Sequence, residues 1–117
     1  MNKKSRQEKI NKALNFFNVA ERSKINCVRF NSNNTDKHEL FKARLGLEAN
    51  KKGFSFLTEP RLKNNCRPDF VLLDILWLIE VLNKESIEEC QEKVKNYPKE
   101  FTIEIVDSKK PFPKDLI

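Results

Sequence analysis

Arg67-Pro68-Asp69-Phe70-Val71-Leu72-Leu73, followed by Leu78-Ile79-Glu80-Val81-Leu82, is the stretch that decides how this chain is read. Each run is apolar and strand-like, and each carries one carboxylate that its hydrophobic neighbours do not explain. An unpaired carboxylate in such a setting costs several kcal/mol, so a partner is expected. Two acids on neighbouring strands would find one in a divalent cation held by oxygen ligands. Within the second run, Glu80, Leu82 and Lys84 share one parity and project to one face, whereas Ile79, Val81 and Asn83 project to the other.

The flanking sequence punctuates itself. Upstream, Phe54-Ser55-Phe56-Leu57-Thr58-Glu59 alternates like a half-buried strand limited by Pro60, and residues 63–67 form a polar connection. A helix is expected over about 37–51, stopped by Gly53. Before it, Asn31–Thr35 is a run of turn formers and Ile25–Phe30 a weakly extended piece. The first segment, about 5–19, spaces Ile10, Ala13, Leu14 and Phe17 helically under a basic face that includes Lys3, Lys4, Lys9 and Lys12. Downstream, Ser86 with Glu89 forms a capping-box pattern, opening a helix with Ile87, Cys90, Val94 and Tyr97 on one side and Pro98 at its end. Phe101–Val106 reads as a fourth strand, and the tail as an extended end. The expected fold is α/β: a helix, a three-strand antiparallel meander, a crossover helix and a fourth strand, with an extra N-terminal helix.

With 117 residues the chain fits one domain, divided into an N-terminal helix and extension (1–35), a core (36–106) and a tail (107–117). A net charge of +6 leans toward a polyanionic partner. The three cysteines, Cys27, Cys66 and Cys90, are widely spaced without a Cys-x-x-Cys pair, which speaks against structural zinc or a disulfide framework. They read as buried or half-buried thiols in a reducing, cytoplasmic setting. No segment approaches the ~20 apolar residues of a membrane span.

Pro68-Asp69, with Glu80 eleven residues on inside Ile79-Glu80-Val81, set in this order of helices and strands, resembles the core of the PD-(D/E)XK nuclease superfamily. That superfamily includes restriction endonucleases and archaeal Holliday-junction resolvases, and the resemblance spans about residues 36–106. It implies a restriction-endonuclease-like fold, Mg²⁺ (or Mn²⁺) as cofactor, phosphodiester hydrolysis in DNA, and a homodimer where both strands of a duplex are cut. It implies Asp69, Glu80 and the backbone carbonyl of Val81 as metal ligands, with Glu39 in the preceding helix completing the site. The family's lysine, two residues after the second acid, is replaced here by Leu82. Lys84 keeps the parity and is the favoured substitute. Lys93, on the next helix, is the other candidate, and Leu82 also admits a rival reading: a nuclease-fold module that binds nucleic acid or assembles without cutting.

Each residue also has a plainer role open to it. Asp69 could be a strand-entry residue accepting backbone hydrogen bonds, and Glu80 a salt-bridged strand residue. Glu39 could be the reciprocal acid of a cap beginning at Asp36. Glu59 flanks the metal or ends the sheet edge, and His38, the only histidine, is a general base or a packing residue. Arg67, Lys63 and Lys93 are candidates for phosphate contact, against solvated surface charges. The rings of Phe16, Phe17, Phe41, Phe54, Phe56 and Trp77 belong to a core or a dimer face.

Overall fold

A computed structural model describes residues 3–83 and 85–117. Helix α1 (Lys3–Leu14) leads through a 3-10 turn (Val19–Lys24) to helix α2 (Asp36–Lys51). Strands β1 (Phe56–Thr58), β2 (Phe70–Leu72) and β3 (Trp77–Leu82) follow, then helix α3 (Ile87–Val94) and strand β4 (Thr102–Asp107). The four strands make one sheet in the order β1-β2-β3-β4, with β1/β2 and β2/β3 antiparallel and β3/β4 parallel. The meander and the crossover expected from the sequence are both present. Among the described residues no helix is long and apolar enough to cross a membrane.

Strand parity divides the core between the two faces of the sheet. Phe70, Leu72, Ile79 and Val81 pack with Phe41, Leu45 and Ala49 of α2. Val71, Leu73 and Leu78 pack on the opposite face with Ile10, Ala13 and Leu14 of α1, together with Tyr97 and Phe101 from beyond α3. Helices thus cover both faces, as a sheet buried on both sides requires. Because Glu80 shares the parity of Leu78, its side chain leaves the sheet on the α3 face.

Both ends of α2 are fixed by local chemistry. The Thr35 hydroxyl accepts from the His38 amide, so Thr35 rather than Asp36 is the N-cap. At the other end Gly53 (φ 76°) takes the left-handed conformation. The amide of Phe54 then donates to Ala49 O and that of Gly53 to Asn50 O, a Schellman motif.

Three departures from expectation have tertiary causes. Helix α1 stops at Leu14 instead of running to residue 19, because Phe17 forms a bridge with Leu62 and the backbones of Phe16 and Asn18 bond those of Lys63 and Arg61. The 26–29 segment is not a strand: it lies along β1 through one backbone bond, Asn26 N to Phe56 O, and otherwise through side chains, with Arg29 N donating to Thr58 Oγ1 and Phe56 N to Asn26 Oδ1. The tail does not extend away. Phe112 packs on Phe41 with ring centroids 4.9 Å apart, Arg44 lies over the Phe112 ring, and Leu116 and Ile117 close on the α2 face. Of the cysteines, Cys66 is half-buried and Cys90 buried as expected, but Cys27 is exposed because the irregular 26–29 segment leaves it outside the core.

Candidate metal and phosphate site

Asp69 and Glu80 meet where β2 begins and β3 nears its end. The Asp69 amide donates to Glu80 Oε1 (3.2 Å), and the Val81 amide donates to Asp69 Oδ2 (2.8 Å). Pro68 has no N–H and Asp69 lies just outside β2, so these carboxylate bonds take over where the ladder stops. On its other edge β3 bonds β4 through its even-numbered residues, as Leu76 O accepting from Thr102 N illustrates (2.9 Å). In a strand the N–H and C=O of one residue point the same way, so the Val81 carbonyl lies on the Asp69 side.

Glu80 is fully buried, and both its oxygens are engaged. The Tyr97 hydroxyl donates to Oε1 (2.6 Å), while Lys93 Nζ lies 3.0 Å from Oε2. Burial, and then the charge of Asp69, push the Glu80 carboxyl up to about 7 against the opposing pull of Lys93 and Tyr97. Burial would depress the Lys93 ammonium, but Glu80 and Asp69 outweigh it and raise its pKa. Burial and Glu80 together hold the Tyr97 phenol far above its usual range.

A second charged group meets the first from α2. His38 stands between two acids, with Nδ1 3.2 Å from Glu39 Oε2 and Nε2 3.4 Å from Asp69 Oδ1. Burial works against its charged form, but Asp69 and Glu39 prevail and the His38 pKa is raised. Glu39 is not the cap acid. Its carboxylate accepts from the Asn31 amide and pairs with Lys42 (2.8 Å), and these partners lower its pKa despite partial burial. Lys42, fully buried, also reaches Glu59 Oε2 at 2.6 Å. The left-handed turn at Glu59 (φ 45°) places that residue after β1 rather than continuing the strand.

Of these groups His38, Glu59, Asp69 and Lys93 line a groove of about 490 Å³, together with Arg67, Val81, Asn34, Asn83, Glu85 and Glu89, whereas Glu80 is not among its lining residues. A larger cleft, about 1040 Å³, runs between β4 and the tail and is bordered by none of the Asp69, Glu80, His38 or Lys93 side chains. The smaller groove is where the charged chemistry lies. No protein family, no curated protein and no solved structure matches this chain. The site therefore has to be read from its own atoms.

Of the residues singled out in the sequence, the structure brings together Asp69, Glu80, Val81, Lys93 and, through His38, Glu39. Arg67 is exposed on the groove wall. Lys63 is exposed on a neighbouring turn and does not line the groove. Lys84 lies outside the described residues. Sequence reading missed the roles of Lys42 and Tyr97. Tyr97 follows Lys93 and Cys90 at helical spacing, a signal that it belongs to the Glu80-facing side. Lys42 carried no signal beyond its spacing from Glu39. Glu21 was also unforeseen: buried, it accepts from the Arg61 amide and pairs with Arg29 at 3.6 Å, tying the 3-10 turn to the core.

For a hard divalent cation the donor set is suitable: two carboxylates and a backbone carbonyl, all oxygen, at one end of the two central strands. Glu80, its carboxyl pushed up to about 7 by burial and then by the Asp69 charge, is the electrostatic counterpart, because added positive charge there favours its ionised form.

Proposed function

We propose that this protein is a metal-dependent nuclease hydrolysing phosphodiester bonds in DNA, on a restriction-endonuclease-like core. The observation that carries this reading is the meeting of Asp69, just before β2, with Glu80 of β3: the Asp69 amide donates to Glu80 Oε1, the Val81 amide donates to Asp69 Oδ2, and the Lys93 ammonium lies 3.0 Å from Glu80. Asp69, Glu80 and the Val81 carbonyl would hold Mg²⁺ or Mn²⁺. When bound, the cation supplies a more acidic water and positive charge opposite the phosphoryl oxygens.

The chain's own side chains do the rest. Lys93, reaching over from α3 in place of the lysine absent at Leu82, stands on the groove wall, where its charge offsets that of a phosphate. Tyr97 and the Asp69 amide fix Glu80 Oε1, so only Oε2 is left facing Lys93. His38 holds Asp69 Oδ1 from the side of α2, and Arg67 offers a second cation to the backbone of the nucleic acid. A homodimer, matching two-fold symmetric substrate, is part of this proposal.

One observation favours a second reading, a nuclease-fold module that binds without cutting: Glu80 is fully buried and every carboxylate oxygen of it already has a protein partner. Cleavage of supercoiled and branched DNA with Mg²⁺ or Mn²⁺ tests the first reading. Wild type should cut, and Asp69→Ala and Glu80→Ala should fall to background. Equal trace activity in all three removes the enzyme. Calorimetry with Mn²⁺ then separates the two: heat abolished by Asp69→Ala belongs to the nuclease, and absence of heat to the binding module.

A further inference from the structure

Glu80 has a second set of neighbours that the nuclease reading does not use. Among the described residues, Glu80, Glu85 and Cys90 are the one group of three metal-ligating side chains whose donor atoms all lie within 4.8 Å of one another. The backbone explains why they meet. Glu80 leaves β3 toward α3, Glu85 lies just before the Ser86 N-cap, and Cys90 sits one turn into the helix. The end of β3 and the start of α3 therefore bring three donors together.

Among the described residues, two of the three donors make no hydrogen bond. The Cys90 thiol is fully buried, yet among the described residues it makes no hydrogen bond, although its sulfur lies close to both carboxylates. Glu85, half-buried on the groove wall, makes no hydrogen bond or ion pair with a described residue. A buried cysteine ordinarily packs as a small hydrophobe among apolar groups. One set against two acids instead is a soft donor at the centre of an anionic cluster.

We propose that Glu80, Glu85 and Cys90 form a binding site for a thiophilic divalent cation, Zn²⁺ or its analogue Cd²⁺. Sulfur selects such ions over Mg²⁺, which prefers oxygen alone. Bonds of roughly 2.0–2.3 Å at tetrahedral angles put ligand atoms about 3.5 Å apart, so donors lying within 4.8 Å need to close by no more than about 1.3 Å. Three protein ligands leave a fourth position, and the groove beside Glu85 gives it access to water or a phosphate oxygen. On binding, the thiol proton leaves to solvent and the sulfur bonds the metal. Lys93 occupies Glu80 Oε2, so the incoming ion displaces that ammonium and takes Glu80 away from any cation held with Asp69. The site is thus antagonistic to the Mg²⁺ arrangement, and its existence does not depend on the protein being a nuclease.

The test uses the full-length, reduced protein and cadmium alone, followed by the ultraviolet sulfur-to-cadmium charge-transfer absorbance. Wild type should develop the band and saturate at one cadmium per chain. Cys90→Ser should abolish it, and Glu85→Gln should weaken binding by roughly tenfold or more, since loss of even a supporting group has effects of that size. Glu88→Gln, which removes a nearby exposed acid outside the group, should leave affinity unchanged within about twofold, because an exposed charge acts only through a screened field. Three results overturn the proposal: no band in wild type, a band that survives Cys90→Ser and so belongs to Cys27 or Cys66, or equal effects of Glu85→Gln and Glu88→Gln. Circular dichroism on each variant checks that the fold is kept.

Discussion

Replacing Glu80 by glutamine should flatten the dependence of stability on pH. The shape of the side chain is kept and its charge removed. In the folded protein the Glu80 carboxyl is pushed from 4.5 to about 7, by burial first and the Asp69 charge second. Between those pH values the folded chain holds a proton that the unfolded chain has released. Stability then falls as pH rises, fully present below the unfolded value and lost as pH passes the folded one. From 4.5 to about 7, at about 1.4 kcal/mol per unit, the loss is roughly 3 kcal/mol. Urea unfolding in chelator-treated buffer from about pH 4.5 to about pH 8 measures it, since each point gives a free energy by linear extrapolation. His38, whose pKa is raised, adds a loss of the same sign as pH climbs past its own range, but it is present in both proteins and largely cancels in the difference. Wild type should lose roughly 3 kcal/mol more than Glu80→Gln across the window. Parallel curves, or a wild type that gains stability with rising pH, would falsify the argument: the Lys93 pair would then outweigh burial and Asp69.

Two further outcomes follow from side chains whose surroundings leave no slack. Lys42→Met removes the buried ammonium between Glu39 and Glu59, and should cost about 3–5 kcal/mol in urea unfolding, because two carboxylates lose their cation; a cost below about 1 kcal/mol would mean both acids find water instead. Gly46→Ala should lower Tm despite the better helix former, since an added Cβ would sit 3.0 Å from Val28 Cγ2 and 3.1 Å from Phe56 Cζ. Overpacking there costs about 1–3 kcal/mol against a propensity gain of at most about 1 kcal/mol, so a raised Tm would show that Val28 and Phe56 yield freely.

What the sequence determined by itself was the order and type of the main elements and the placing of two acids in apolar strands. The apolar runs over Phe70–Leu72 and Trp77–Leu82, Gly53 after α2 and the Ser86 cap are all signals carried within a few residues of where they act. Such signals survive because backbone geometry is local. Element ends were less legible. Helix α1 gives way at Leu14 to backbone pairing with residues 61–63, a contact no local pattern announces.

Only the tertiary structure decided what each charge faces. Parity along β3 pointed to Lys84, which lies outside the described residues; on the α3 side of the sheet, Lys93 and Tyr97 reach Glu80 from a separate element. Likewise His38, Lys42 and Glu59 became one network only when α2 crossed the end of the sheet. A carboxylate in an apolar run announces that it needs a partner, because burying bare charge is costly. Which partner arrives depends on chain segments tens of residues away, and that choice is made by packing.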